Sequence, residues 1–379
     1  MCLTVQACWH WLRCAKGCIE MARIDLDLAH AYRPNPQQDS DYALLPLKMS
    51  FENGGAYALL GPSGCGKTTM LNLMSGLLQP SQGAVWFDGQ DVTRATPQQR
   101  NIAQVFQFPV IYDTMTVAEN LGFPLRNRKV PADQIRKRVG EIAEMLDLSG
   151  QLNQRASGLA ADAKQKISLG RGLVRSDVSA VLFDEPLTVI DPHLKWQLRR
   201  KLKQIHRELK LTLIYVTHDQ VEALTFAQQV VVMTRGRAVQ MGTAAQLFER
   251  PSHTFVGHFI GSPGMNFLPA HMGPEGLQVC GLAVPLPPTQ GQLPHGNLRL
   301  GIRPEYVRCA SSSFDGALAM QVAQVQDVGT HFIVTASVQG QVFKARLAMM
   351  AEPLTVGSTV WCQVLNDKTC FYRNEEIVA

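Results

Sequence analysis

The chain has 379 residues, of which 46% are apolar and 18% are charged, and its formal net charge is +5. This length predicts about two domains, and so small an excess of positive charge does not by itself indicate nucleic-acid binding. No apolar run reaches the roughly 20 residues that a membrane-spanning helix needs, so a role at a membrane would have to work through partner proteins.

Residues 1–20 differ in character from the rest of the chain. His10, Arg13 and Lys16 interrupt their apolar residues, which argues against a secretory signal. No two of their cysteines have the C-x-x-C spacing, so a metal cluster is the weaker alternative. We expect a non-native or disordered extension, with translation starting at Met21, and the scattered cysteines of the chain indicate a reducing compartment. The cysteines of the extension are Cys2, Cys8, Cys14 and Cys18.

Residues 21–245 alternate short apolar strands with longer helical stretches, which predicts an α/β domain with a largely parallel sheet. A strand over 57–60 precedes a glycine-rich loop, and 68–78 has the pattern of a helix. Two continuous apolar runs, 180–183 and 213–216, are typical of strands that are buried on both faces.

A further helix is predicted from Pro192 onward, with Asp191 as its N-cap. Leucine or isoleucine recurs along it every three or four residues, which indicates a stripe that packs into the core rather than a binding site. The stripe consists of Leu194, Leu198, Leu202, Ile205 and Leu209.

Residues 246–379 lack long helical patterns, and proline and glycine are frequent over 263–296. Short alternating segments separated by turn residues predict a small all-β barrel or sandwich. The predicted strands cover 298–302, 320–325, 332–338, 342–347 and 359–365.

The stretch GPSGCGKTT at 61–69 matches G-x-x-x-x-G-K-[ST], with a strand before it and a helix after it. Glycines let main-chain N–H groups cradle phosphate oxygens at the positive end of a helix. Lys67 adds a charge for the β- and γ-phosphates, and the Thr68 hydroxyl can bind Mg²⁺. The pattern therefore predicts a site for ATP and Mg²⁺. Its residues are Gly61, Pro62, Ser63, Gly64, Cys65, Gly66, Lys67, Thr68 and Thr69.

Two carboxylates follow the buried strand in AVLFDEP at 180–186. A phosphate loop needs a carboxylate at the end of another strand to hold the metal and its water, and Asp184 is in that position. Glu185, directly after it, is the candidate general base that polarises the attacking water. We therefore predict that Asp184 binds the metal and that Glu185 is catalytic.

In order and spacing, these motifs resemble those of the ATP-binding subunits of ABC transporters. The resemblance implies that Gln107 is the Q-loop glutamine, which touches the metal or its water, and that His218 is the switch histidine, which contacts the γ-phosphate. It also implies that Asp191 is the D-loop aspartate and that Tyr32 is the aromatic platform for adenine. Tyr42 is the reserve candidate for the platform, because PNPQQDSDY lengthens the segment before the phosphate loop.

The family's Leu-Ser-Gly-Gly-Gln signature falls on LAADA at 159–163. In the family, the serine and a glycine bind the γ-phosphate that the opposite subunit holds. Here Ala160 lacks the hydroxyl, and Ala161 and Asp162 replace glycines that permit close backbone approach. The carboxylate of Asp162 also repels a polyphosphate. Losing a hydrogen bond to a charged group typically costs roughly 1.5–3 kcal/mol.

This altered signature predicts a dimer of two unlike ATPase chains, in which the partner supplies an intact signature to the Walker motifs of this chain. The alternative is a homodimer in which neighbouring polar residues compensate for the missing groups. Those residues are Lys164, Gln165 and Lys166.

The tail sequences FIGSPGMNFL at 259–268 and GIRPEYV at 301–307 resemble the OB-like extension of sugar- and polyol-importer ATPases, which regulates or dimerises them. The resemblance covers about residues 22–379 and is nearest to one of the two unlike ATPases of a bacterial glycerol importer. Glycerol 3-phosphate, another polyol or a sugar is the alternative cargo. The resemblance also implies partners, namely membrane permease subunits and, indirectly, a periplasmic solute-binding protein. It further implies a peripheral location on the cytoplasmic face of the bacterial inner membrane. The tail does not interleave aromatic and basic residues, so nucleic acid is not expected as a partner.

Two other classes of protein share the nucleotide motifs. A soluble ABC-type ATPase without a permease usually has two fused cassettes or a long coiled-coil insert, and this chain has neither. A chain that binds ATP without hydrolysing it is disfavoured by Glu185 and His218, although Ala160 and Asp162 are compatible with it.

Overall fold

The computed structural model describes residues 22–188, 190–286, 293–348 and 354–378. The predicted extension 1–20 and its cysteines lie outside these residues. The chain divides into two compact units between Ala238 and Val239. The domain limits expected from the sequence, 21–245 and 246–379, stay a prediction.

The first unit consists mainly of alternating strands and helices. Its strands are β1 (Ile24–Ala31), β2 (Tyr42–Phe51), β3 (Ala56–Leu60), β4 (Gln82–Phe87), β5 (Gln90–Asp91), β6 (Ile102–Val105), β7 (Ala180–Asp184), β8 (Leu213–Thr217) and β9 (Gln229–Thr234). The next strand, β10 (Arg237–Gly242), crosses the limit between the two units. Its helices are α1 (Lys67–Ser75), α2 (Val117–Asn127), α3 (Ala132–Met145), α4 (Ala161–Leu173), α5 (Pro192–Leu209) and α6 (Gln220–Phe226).

A six-stranded sheet in the order β10-β9-β3-β8-β7-β6 carries the elements that position the nucleotide motifs. Within it, β3 runs parallel to β8 and β9, and β7 runs parallel to β8 and β6. The carboxyl ends of β3, β7 and β8 therefore meet at one edge, where ligands bind in open α/β sheets. A separate antiparallel sheet has the order β2-β1-β4-β5.

The apolar stripe predicted on α5 is confirmed. Leu198, Leu202 and Ile205 are buried in the largest core cluster, and Leu194 and Leu209 pack against it. The helix begins at Pro192, and the carbonyl of Asp191 accepts its first hydrogen bond, from Lys195 N. The buried strand predicted over 180–183 is likewise confirmed, because all four of its side chains are inaccessible to solvent.

The second unit is mainly β, and the expected α/β domain followed by a small all-β domain is confirmed. Two short helices, α7 (Ala244–Glu249) and α8 (Thr254–Phe259), precede its strands. The strands are β11 (Asn266–Gly273), β12 (Gly276–Val279), β13 (Leu282–Ala283), β14 (Gly296–Ile302), β15 (Arg308–Ala310), β16 (Ala317–Asp327), β17 (His331–Val338), β18 (Gln341–Ala348), β19 (Thr359–Gln363), β20 (Cys370–Arg373) and β21 (Glu376–Ile377).

These strands form two antiparallel sheets, in the orders β13-β12-β11-β14-β20-β21 and β15-β19-β16-β17-β18. Each of the five strands predicted in this region has a counterpart. The sequence did not predict β13, β15, β20 or β21, nor β11 and β12, where Pro269 and frequent glycine give the pattern of a loop. Pro269 is accommodated inside β11, opposite Arg299 of β14, and its carbonyl accepts a hydrogen bond from Cys280 N.

Arg303 is a fully buried guanidinium that holds the ends of α7 and α8 together. It donates hydrogen bonds to the carbonyls of Leu247 and Phe248 in α7, and to those of Gly257 and Ile260 at the end of α8. Its guanidinium carbon lies 4.1 Å from the centroid of the Phe248 ring. The last carbonyls of a helix have no partner within the helix, so Arg303 satisfies groups that would otherwise be buried without one.

Candidate functional site

A cleft of about 640 Å³ opens at the edge where β3, β7 and β8 end. This volume lies within the range of about 300–1,000 Å³ that is usual for small-ligand sites. The cleft is lined by Tyr32, Ala43, Ser63, Gly64, Gly66, Lys67, Thr68, Thr69, Gln107, Asp184 and Glu185.

The phosphate loop reverses direction through backbone conformations that glycine adopts without strain. Gly64 and Gly66 have φ angles of +77° and +102°, in the left-handed region that favours glycine. A Cβ atom on Gly66 would also lie 2.6 Å from the carbonyl oxygen of Ala43. The turn ends at Lys67, the first residue of α1, and the first N–H groups of a helix have no partner within it. The loop therefore presents main-chain donors and a positive helix end to the cleft.

Lys67 holds the loop in shape from inside. Its ammonium donates hydrogen bonds to the carbonyls of Gly61 and Pro62, at 2.9 and 3.0 Å, and lies 4.0 Å from the Cys65 sulfur. Burial raises the pKa of the Cys65 thiol. Gly61, Pro62 and Cys65 thus support the loop and do not line the cleft themselves, whereas Lys67 does both.

Thr68 and Asp184 form the part of the cleft that suits a divalent cation. The Thr68 hydroxyl donates to a carboxylate oxygen of Asp184 at 3.1 Å, which brings the end of β7 against the start of α1. Hydroxyl and carboxylate oxygens are hard ligands of the kind that Mg²⁺ prefers. Burial raises the pKa of Asp184, and the neighbouring Glu185 charge adds to this effect. A cation bound there would relieve both sources of destabilisation.

Asp184→Asn is expected to stabilise the nucleotide-free protein at neutral pH while removing its Mg²⁺-dependent ATP hydrolysis. The pKa of Asp184 is raised above its ordinary value of 3.8, so the protonated carboxyl favours the folded state at low pH. This contribution is lost as the pH rises through the folded-state pKa. Asparagine stays neutral, so the melting temperature of the variant should exceed that of the parent at pH 7.5 by more than at pH 4.

The matched control is Asp133→Asn, which removes an exposed carboxylate from α3. It should leave both the melting temperature and the hydrolysis rate near those of the parent. An Asp184→Asn protein that is no more stable than the parent at pH 7.5 would contradict the proposed cost of this partly buried charge.

Glu185 and His218 meet at the outer side of the same edge. His218 Nδ1 lies 3.1 Å from a carboxylate oxygen of Glu185, and the Thr188 hydroxyl donates to that oxygen at 3.3 Å. Glu185 N–H donates to Val216 O of β8, and its φ angle is +47°, which is uncommon for a residue with a side chain. The backbone is thus fixed in a conformation that presents a half-buried carboxylate to the cleft and to His218.

Glu222 is a supporting residue that sequence reasoning missed. This buried carboxylate accepts hydrogen bonds from the hydroxyls of Tyr215 and Thr217 in β8, at 3.0 and 2.9 Å. It belongs to α6, whose N-cap, Asp219, follows His218 directly. Glu222 therefore ties the end of β8 to the start of α6 and holds the backbone from which His218 projects. Its sequence signal is a carboxylate four residues after the histidine, in HDQVE.

Of the two aromatic candidates, Tyr32 lines the cleft and Tyr42 does not. The Tyr32 hydroxyl lies 3.0 Å from that of Thr69 in α1, and its ring stands edge-to-face on the buried His30 at a centroid distance of 4.8 Å. The Tyr42 hydroxyl instead accepts a hydrogen bond from Gln82. A largely exposed ring beside the phosphate loop is suited to stack against a purine.

Tyr32→Ala is expected to weaken ATP binding about 5- to 150-fold, since stacking of one base on an aromatic side chain is worth about 1–3 kcal/mol. Titration calorimetry with ATP measures the effect, and inorganic triphosphate, which has no base, should bind equally to parent and variant. Tyr32→Phe keeps the ring and loses the contact with Thr69, so it should bind ATP nearly as well as the parent. Equal weakening of ATP and triphosphate binding would show that Tyr32 supports the loop rather than the base.

Gln107 and Asp191 occupy different places. Gln107 follows β6 and lines the cleft, where its amide is available to a cation or its water. Asp191 is exposed at the start of α5 and does not line the cleft. The structure therefore brings together the predicted nucleotide and metal residues, with His218 beside Glu185, and leaves Asp191 outside them.

The altered signature forms the start of α4. Ala160 is the N-cap of this helix and makes no side-chain capping hydrogen bond, and Asp162 lies in the first turn. Gln165 is fully buried and donates to the carbonyl of Pro186 at 2.6 Å, while Lys164 Nζ lies 3.5 Å from Asp113. Two of the three polar residues that might compensate for the signature thus have partners within this chain.

Comparison with protein families matches three successive parts of the chain. Residues 44–188 match the ABC transporter model, 261–307 match the MalK OB fold domain, and 300–370 match the TOBE domain. Among the described residues, no helix combines the length and the apolar character needed to cross a bilayer.

Curated relatives match over most of the chain. The sn-glycerol-3-phosphate import ATP-binding protein UgpC of Escherichia coli K12 is 38% identical over 333 residues, which cover 87% of this chain and 93% of the relative. The protein of the same name from Shigella sonnei gives the same figures. Among solved structures, cbiO1 from Clostridium perfringens, described as part of the ABC transporter complex cbiONQ, matches with a TM-score of 0.54 and 26% identity. The match covers 60% of this chain and 90% of cbiO1.

Proposed function

Because this chain belongs to the ATP-binding subunits of ABC importers, we propose that it powers the uptake of a small polyol by binding and hydrolysing ATP with Mg²⁺ in the cleft described above. The observation that carries this proposal is the convergence of the phosphate loop, Asp184, Glu185 and Gln107 on one cleft. Sequence positions more than 120 residues apart meet there, as β3 and β7 lie on either side of β8.

Each group in the cleft has a role that follows from its position. The loop N–H groups and Lys67 bind the phosphates, and Tyr32 orients the base. Thr68, Asp184 and Gln107 would hold Mg²⁺, which when bound offsets phosphate charge. Glu185 accepts a proton from the attacking water, and His218, 3.1 Å from Glu185, holds that carboxylate in place and reaches towards the γ-phosphate.

The partner in the dimer is proposed to be an unlike ATPase chain. Ala160 offers no hydroxyl to a partner's nucleotide, and the buried Gln165 is bound to Pro186 and cannot replace it. The phosphate loop, Asp184 and Glu185 of this chain therefore provide the catalytic groups of one site, while its signature lacks the serine hydroxyl. A partner with an intact signature would complete one hydrolytic site, and the other site would be weak or structural.

ATP hydrolysis by the purified chain tests this arrangement. We expect slow turnover without positive cooperativity from the chain alone, and cooperative turnover when a second ATPase subunit from the same operon is added. Brisk cooperative hydrolysis by the chain alone would favour the homodimer.

The proposed assembly includes membrane permease subunits and, through them, a periplasmic solute-binding protein. In this assembly the chain would lie on the cytoplasmic face of the bacterial inner membrane. ATP binding and hydrolysis would close and reopen the dimer, and this conformational change would reach the permease through the surface that follows Gln107. Phe108, Val110 and Tyr112 are exposed in this surface, and such apolar groups are suited to protein contact.

Glycerol is the proposed cargo, and sn-glycerol 3-phosphate is the second candidate, which the names of the UgpC relatives favour. A strain without the gene is expected to lose uptake of radiolabelled glycerol at micromolar concentration, and the intact gene should restore it. Complementation with the Lys67→Ala gene is the matched control. It should not restore uptake, because the variant lacks the ammonium group that binds the phosphates of ATP. Unchanged glycerol uptake together with lost glycerol 3-phosphate uptake would reassign the cargo and leave the ATPase role intact.

A further inference from the structure

Two free cysteines lie opposite each other on neighbouring strands of the second unit. Cys309 of the edge strand β15 is in register with Cys362 of β19, and both are unoxidised. Residues directly opposite each other in an antiparallel pair project from the same face of the sheet. Cys362 lies in the apolar core of this unit, and Cys309 packs against that core.

The hydrogen-bond pattern of β19 determines which type of antiparallel pair the two cysteines form. Val322 N–H of β16 donates to the carbonyl of Ser358, the residue before β19, and the register of β16 with β19 places Leu318 opposite Cys362. Hydrogen-bonded and non-hydrogen-bonded pairs alternate along an antiparallel ladder, so Leu318 and Cys362 are a hydrogen-bonded pair. The backbone groups of Cys362 therefore face β16.

Towards β15, Cys362 is consequently a member of a non-hydrogen-bonded pair with Cys309. Such pairs have Cα atoms about 4.5 Å apart, closer than in hydrogen-bonded pairs. This separation lies within the range of about 4.4–6.8 Å found for disulfides. The other described cysteines lack this arrangement, since Cys370 lies opposite Gly301, Cys280 lies in the turn after β12, and Cys65 lies in the phosphate loop.

We propose that Cys309 and Cys362 form a redox-sensitive modification site, at which a small-molecule disulfide such as oxidised glutathione converts the two thiols into one intramolecular disulfide. This disulfide fastens the three-residue edge strand β15 to β19.

The order of the two steps follows from exposure. Cys309 is partly exposed, whereas Cys362 is 1% exposed. The Cys309 thiolate attacks one sulfur of oxidised glutathione, which releases one glutathione thiolate and leaves a mixed disulfide on Cys309. The Cys362 thiol then gives its proton to the released thiolate and attacks the Cys309 sulfur, which releases the second glutathione. The protein loses two electrons and two protons, and one oxidised glutathione becomes two reduced ones.

The surroundings of Cys362 favour this order. A hydrogen bond with Cys309, burial and the Cys309 charge raise the pKa of the Cys362 thiol well above its usual range. Cys362 therefore stays protonated while Cys309 reacts. The mixed disulfide removes the Cys309 charge, so one of the three causes that raise the pKa of Cys362 is gone when Cys362 attacks.

Peptide mapping of the reduced, full-length protein after treatment with oxidised glutathione tests the proposal. Trypsin cuts after Arg308, Lys344, Arg346 and Lys368, so Cys309 and Cys362 fall on the peptides 309–344 and 347–368, each with a single cysteine. We expect these two peptides to appear cross-linked after alkylation of the remaining thiols and to separate on reduction. Glutathione that remains on Cys309 without a cross-link, or no reaction at Cys309 while Cys280 is modified, would overturn the proposal.

Variants separate the two steps. Cys362→Ala should stop at glutathione on Cys309, and Cys309→Ala should leave Cys362 unmodified. Cys280→Ala, which removes a partly exposed cysteine outside the strands, should leave the cross-link intact. Amide hydrogen exchange on the oxidised parent needs no variant: exchange in 308–310 should slow on oxidation, and unchanged exchange there would contradict the fastening of β15.

Discussion

Replacing Glu185 with glutamine is expected to lower ATP turnover about 100- to 10,000-fold, the usual contribution of a general base. Glutamine fills the same space and retains an oxygen that can accept from Thr188, but it cannot take a proton from water at neutral pH. ATP binding should be preserved, because Lys67, the loop N–H groups and Tyr32 are unchanged. Phosphate release under saturating ATP measures turnover in the complex with the partner ATPase and permease, and calorimetry measures binding.

The control for this substitution is Glu275→Gln, which makes the same chemical change at an exposed position in the second unit. It should leave turnover within about twofold of the parent, as expected of a surface substitution far from any site. If the Glu185→Gln complex hydrolyses ATP at the parent rate, Glu185 is not the general base, and His218 becomes the candidate for that role.

Restoring a serine at position 160 is expected to strengthen the weaker nucleotide site. Ala160→Ser supplies the hydroxyl that the signature lacks, and a hydrogen bond to a charged group is worth about 1.5–3 kcal/mol. Affinity for the partner-held ATP should therefore rise about 10- to 150-fold. The same hydroxyl can cap α4, because the present N-cap residue, Ala160, has no side-chain acceptor. Such capping stabilises a helix by about 0.5–2 kcal/mol.

The affinity effect and the capping effect can be measured separately. Thermal unfolding of the chain without nucleotide reports capping, and ATP-dependent dimer formation reports the new contact. Asp162→Asn is the companion variant, because it removes the charge and restores no hydroxyl. If Ala160→Ser raises the melting temperature and leaves ATP-dependent association unchanged, residue 160 does not face a nucleotide, and the proposed unlike dimer loses its main support.

The sequence predicted most of the residues that line the cleft because its motifs are local. The spacing within 61–69 specifies a turn that only certain backbone conformations can make, and a run such as AVLFDEP places its carboxylates at the end of a buried strand. Fold class followed from the same periodicities. Membership of the ABC importer family, expected from the motifs, is confirmed by the matches along the chain.

Contacts between residues that are far apart in the chain could not be predicted from the sequence. Tyr32 and Tyr42 stand on either side of a loop, and only the paired register of β1 and β2 decides which ring faces α1. The burial of Gln165 depends on the path of the segment after Glu185, which no local pattern specifies. Strand β11 was not predicted because a proline inside a strand is tolerated only where its missing N–H is not needed by a neighbouring strand, and that depends on strand order.

The burial of Arg303 affects how the second unit folds during synthesis and which fragments of the chain can fold. The helices α7 and α8 emerge from the ribosome well before this residue, so their terminal carbonyls stay hydrated until its guanidinium arrives and seals them from water. A fragment that stops before residue 303 would leave those carbonyls and the Phe248 ring without their cover, however complete its nucleotide motifs. Both short helices therefore complete their folding together with the strands that follow them. A separately produced second unit should accordingly begin before Ala244.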